Sequence, residues 1–132
     1  MTSGANYLIL AAGGAIGTIL RYVLNGATSE YFRQPLFPWG TLLVNLSGSL
    51  LIGILAGLHE SDPVNPGLRL FLFVGLLGGF TTFSSFSLET LQLMRQSQLL
   101  LAMMNILANT LGGISLAAGG FFLSRFMMNF FR

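Results

Sequence analysis

Apolar residues dominate four long stretches, at about 6–24, 39–58, 68–94 and 99–126, separated by segments rich in turn formers or charge. Each stretch is near the roughly 20 residues that a helix needs to cross a bilayer. The connections read "NGATSEYFRQPLFP", "HESDPVNPG" and "RQSQ". Within the stretches, small and polar residues recur at helical spacing. Thr41, Asn45, Ser49, Gly53 and Gly57 stand four apart, which on a helix makes one slowly drifting stripe. Asn105 and Asn109 repeat the spacing, with Thr110 adjacent and Gly113 continuing the face, and Gly14, Thr18, Arg21 and Asn25 form a third polar edge. The pattern predicts an all-α integral membrane protein, a single domain over 1–132 with four transmembrane helices. The leading "MTSGANY" lacks a basic n-region, so the first stretch reads as a span and not as a cleaved signal peptide.

The third stretch departs from this order at "LLGGFTTFSSFSLET" (76–90). Gly78-Gly79 weakens a helix by about 1 kcal/mol per glycine relative to alanine. The hydroxyls of Thr81, Thr82, Ser84 and Ser85 compete for backbone hydrogen bonds. A third helix broken in mid-membrane is therefore expected, and such a break survives only inside protein or beside a polar cavity. Freed carbonyls are hard-cation ligands, so the Gly78–Thr82 backbone is a candidate for a buried monovalent cation. Phe83 and Phe86, three apart, project from about the same face after the break. The positive ring edge suits an anion path; packing is the plainer role for two phenylalanines among twelve.

Composition narrows the function. The chain has 132 residues, 53% hydrophobic and 8% charged, with no cysteine and a net charge of +2. A soluble domain carries about 25% charged residues, and this small, dispersed charge offers no nucleic-acid surface. His59 is expected to face solvent in a loop. Disulfides, thiolate metal sites and thiol catalysis are excluded, and no Ser-His-Asp set or carboxylate pair is spaced for enzymatic chemistry. Proton-coupled carriers use Asp, Glu or His as an intramembrane relay, and the first, second and fourth stretches hold no carboxylate. Neutral amide and hydroxyl donors suit a small anion. Glu89, toward the end of the third span, is expected to meet an arginine or reach solvent. Asn45 either bridges helices or faces a water-filled path, and Arg21 is near enough to the span's end to snorkel. Glycine pairs at Gly13/Gly17, Gly53/Gly57 and Gly75/Gly79 fit close helix packing.

Orientation follows Lys/Arg asymmetry between loops. Arg69, Arg125 and Arg132 fall on one side, and Arg33, Arg95 and Arg21 on the other. This tie permits insertion both ways and an antiparallel homodimer.

The segment "GGFTTFSSFSLET" closely resembles the third-helix signature of the Fluc (CrcB) fluoride channels. "GGAIGTILRYVLN", "PWGTLLVNLSGSLLIG" and "MMNILANTLGG" resemble the family's first, second and fourth helices, in order and over nearly the whole chain. The resemblance implies a dual-topology antiparallel homodimer, multi-pass in the cell (inner) membrane among lipid, passing fluoride out passively through two pores. It implies that Phe83 and Phe86 line the pore with Asn45, and that Thr82, Ser84 and Asn109 belong to its polar track. Arg21 would sit near an aqueous vestibule. Gly78 and Thr81 would give backbone carbonyls to a structural sodium ion at the dimer centre. Two rivals stand beside this reading: a proton-coupled exporter of the small multidrug-resistance kind, which would need an acidic residue in 6–24, and a membrane assembly factor whose polar stripes only join helices.

Overall fold

The computed structural model describes residues 4–33 and 36–130; Arg132, counted in the charge balance, lies outside them. The described residues are helical almost throughout, and four spans are long and apolar enough to cross a membrane. We label the helices α1 (Gly4–Tyr31), α2 (Trp39–Ser61), α3 (66–80), α4 (Phe83–Arg95) and α5 (Leu99–Phe130), with α3 and α4 together forming the third span.

Local chemistry sets the boundaries. Helix α1 continues seven residues past the apolar stretch because 25–31 contains no proline, and it stops where Arg33 turns into the left-handed region at φ 51°. Arg21 consequently lies ten residues short of the end of α1. Helix α3 starts on Asn65, whose side chain accepts from the Leu68 N–H at 2.8 Å, with Pro66 at the first helical position, where its missing N–H leaves no bond unmade. The turn between α4 and α5 is tight, with Ser97 at φ 59°. His59 lies in the last turns of α2 and not in a loop; its Nδ1 accepts from the Val64 N–H at 3.0 Å and its ring edge meets Phe73.

Glycines let the helices approach. A Cβ on Gly79 would sit 2.6 Å from the Gly14 carbonyl oxygen, and one on Gly13 would sit 2.8 Å from that of Phe71. Gly17 faces the Leu76 carbonyl in the same way. The α1–α3 contact is therefore backbone on backbone, a close packing open only to residues without a side chain. Gly53 and Gly57 do the same for α2 against α5, facing Ala117 and Phe121. The helical hydrogen bonding widens to π form at Leu70–Leu76 in α3 and Ala108–Gly112 in α5, features that often mark functional sites. Gly78 and Gly79 are themselves helical. The extended residues are Thr81 (ψ 156°) and Thr82 (ψ 116°), three residues further on than the glycine pair.

Candidate functional site

The two extended residues reorganise the backbone around them. In a continuous helix the Thr82 N–H would bond to the Gly78 carbonyl. It donates instead to Asn45 Oδ1 at 2.9 Å. The Ser85 N–H, due at the Thr81 carbonyl, goes to Thr82 Oγ1 at 3.2 Å and caps α4. Both diverted amides leave a carbonyl without its helical partner, at Gly78 and at Thr81.

Gly78 and Thr81 line a half-open cavity of about 360 Å³ together with Asn45, Thr82, Phe83, Phe86 and Asn109. Of the residues marked out in the sequence, the structure thus gathers Asn45, Gly78, Thr81, Thr82, Phe83, Phe86 and Asn109 around one space. The rings of Phe83 and Phe86 stand 5.4 Å apart at 56°. Phe86 is 7% exposed and Phe83 78%, so Phe83 forms the open lip of the cavity. Ser84 does not line it. Ser84 is an exposed residue whose hydroxyl meets Thr82 Oγ1 at 3.3 Å. Arg21 is also elsewhere, one turn before Asn25 on α1.

Asn45 is saturated. Its Nδ2 donates to the Thr82 carbonyl at 3.1 Å and to Asn109 Oδ1 at 2.9 Å, which uses both amide hydrogens. Asn109 Nδ2 is saturated likewise, by the carbonyl and the side-chain oxygen of Asn105. The sequence left Asn45 between bridging helices and facing a polar path; here it bridges α2, the Thr81–Thr82 link and α5 while lining the cavity. The hydroxyl hydrogens of Thr81, Thr82 and Thr110 are committed as well, to the Leu77 carbonyl, Ser85 Oγ and the Ile106 carbonyl.

A second cavity, about 320 Å³, is bounded by Asn25, Thr28, Ser29, Thr41 and Glu89 beneath Phe37 and Trp39. Glu89 neither pairs with an arginine nor points to solvent, as the sequence led one to expect. Its Oε1 accepts from Thr41 Oγ1 at 2.6 Å, while Oε2, like Asn25 Oδ1, is buried without a hydrogen-bond partner among the described residues. The helical stripe from Thr41 to Asn45 was the available signal that α2 faces two polar spaces in succession. The lining by Phe73 and Leu77 was not legible in the sequence, whereas Thr110 adjoins the Asn105–Asn109 face already marked out.

Four membrane-length helices, three of which line a cavity holding amides and hydroxyls, define a multi-pass membrane protein. The model of the family described as CrcB-like protein, Camphor Resistance (CrcB), matches residues 8–121, and the chain belongs to that family. It is 45% identical over 124 residues to a relative from Anaeromyxobacter dehalogenans, covering 93% of this chain and 98% of the relative. It is 50% identical over 103 residues to one from Rhodospirillum rubrum, covering 76% and 79%. A third, from Methylobacterium radiotolerans, is 44% identical over 105 residues, covering 77% and 72%. Each of these relatives is named a fluoride-specific ion channel.

Proposed function

We propose that the chain is one subunit of a fluoride channel in the cell's inner membrane. Two copies inserted in opposite directions pair as a homodimer surrounded by lipid, with two pores carrying fluoride outward by passive electrodiffusion. The observation that carries this reading is the meeting of Phe83, Phe86 and the Asn45–Asn109 pair around a cavity open on one side. Ring edges attract an anion weakly enough to release it. Thr82 adds a polar side chain to the lining, with Ser84 outside the cavity against its hydroxyl, and Arg21 brings a positive charge toward the approach on α1. The exposed flank of Phe83 is the wall that a second copy would complete, in a pore that one short subunit cannot close. The third span, broken at Thr81–Thr82 in mid-membrane, exists in this reading to face that pore.

A structural sodium ion fits the same break. No group of three or more His, Cys, Asp or Glu side chains is gathered for a metal among the described residues, so carbonyls are the available ligands. Those of Gly78 and Thr81 have lost their helical amides, and both residues border one cavity. Two copies would double the oxygen count toward what a hard cation needs. Bound there, sodium would tie the copies together through their backbones, and no transport step is assigned to it.

Efflux from proteoliposomes loaded with fluoride, followed with a fluoride electrode, tests the function. Rapid fluoride release that needs no proton gradient, with chloride retained, is expected. Proton-driven flux of organic cations, or no fluoride release from folded protein, would overturn it.

A further inference from the structure

We propose that Asn105 and Thr90 are positioning residues for the anion route, which fix the orientation of the Asn45 and Asn109 amides and hold the turn carrying Phe86. The inference rests on the channel reading above. It starts from hydrogen-bond direction. Thr90 Oγ1 donates to the Phe86 carbonyl at 2.8 Å. With its one hydrogen committed, that hydroxyl can only accept from Asn105, whose Nδ2 lies 2.9 Å away. Asn105 must then present Oδ1 to Asn109, which donates to it from Nδ2 at 2.9 Å. Asn109 in turn presents Oδ1 to Asn45 Nδ2. The chain ends on Thr82, whose N–H donates to Asn45 Oδ1 and whose carbonyl accepts from Asn45 Nδ2.

The two ends of an amide have nearly the same shape, so direction must be chosen by partners. Here the partners at the termini are backbone groups that cannot exchange roles. The Phe86 carbonyl only accepts and the Thr82 N–H only donates. Every link between them inherits its polarity from these two anchors, and the anchors bracket the turn that bears Phe83 and Phe86. Asn105 is 0% exposed and Thr90 7%. Neither lines the cavity; both act through residues that do. A relay that merely joined helices would have no need to return to both ends of one turn.

Removing the Thr90 hydroxyl at constant shape tests this. Thr90→Val and Asn105→Leu are each expected to lower fluoride efflux about tenfold, the scale of one buried hydrogen bond, and to reduce discrimination against chloride. The side-chain NH2 resonances of Asn45 and Asn109 in ¹⁵N-asparagine-labelled protein should move in Thr90→Val and return in Thr90→Ser, together with efflux. Should Asn105→Leu fail to fold, the Thr90→Val and Thr90→Ser pair carries the test alone. Normal efflux, selectivity and resonances in Thr90→Val, beside a Phe86→Ile channel that no longer conducts, would overturn the relay and leave the channel reading standing. Normal efflux in Phe86→Ile would instead overturn the ring-lined route on which the relay depends.

Discussion

Phe83 and Phe86 are three positions apart on one helix yet occupy different physical situations. Phe86 is enclosed and its backbone carbonyl anchors Thr90, whereas Phe83 stands 78% exposed at the rim of the cavity. Replacing either ring with isoleucine keeps apolar volume but removes the positive edge. Both Phe83→Ile and Phe86→Ile should therefore abolish most fluoride flux in proteoliposomes. Their stabilities should differ. Phe86→Ile changes the shape of an enclosed side chain, at a cost of about 1–3 kcal/mol, and should lower the thermal unfolding midpoint. Phe83→Ile has little packing to lose within the protomer and should leave it nearly unchanged. Equal destabilisation would mean that the Phe83 ring is covered in the assembled protein as fully as Phe86.

The paired glycines of the third span look alike in sequence and diverge in space. A Cβ on Gly79 would press 2.6 Å from the Gly14 carbonyl, whereas one on Gly78 would find its nearest neighbour at 4.0 Å. Gly79→Ala should separate α1 from α3 and destabilise the protein by about 1–3 kcal/mol, as overpacking against backbone does. Gly78→Ala should fold at least as well as the unsubstituted chain, since alanine favours the helical state; detergent-solubilised thermal melts distinguish the two. The same pair shows how far the sequence was readable. Hydropathy located all four spans, and the wish of Gly78, Gly79 and the following hydroxyls to leave helical geometry was visible. The extended residues nevertheless fell at Thr81 and Thr82, because Gly79 is needed for contact with α1 and Asn45 captures the Thr82 amide. Both causes come from partners distant in sequence. The Thr41–Glu89 and Thr90–Asn105 bonds were hidden for the same reason, joining residues 48 and 15 positions apart. The π-helical turns have no signature in residue pattern, and Phe73, Asn109 and Thr110 of the cavity lining sit in them.

Across all four helices, no span has more than 33% of its most apolar window buried within the protomer, and many large apolar side chains lie outward. Lipid satisfies such a surface, but in the proposed channel it does not provide the wall beside Phe83. An opposite-facing copy would, and its supply depends on loop charge. Arg33 and Arg95 flank one end of the bundle, Arg69 and Arg125 the other, and Arg125 is partly neutralised by Glu60 at 2.8 Å. The balance is therefore narrow, and a few charges should decide it. Adding them at the α4–α5 turn, as Gln96→Lys with Gln98→Lys, biases insertion without touching the cavity. Each proposed antiparallel pair would take one copy from each orientation, so the minority would set the yield. A roughly tenfold orientational preference leaves under about a fifth of copies able to pair. Fluoride efflux per copy should fall in proportion, and co-expression with a chain biased the other way should restore it. Full efflux from copies shown by site-directed labelling to point one way would mean that the wall beside Phe83 is supplied without an inverted partner.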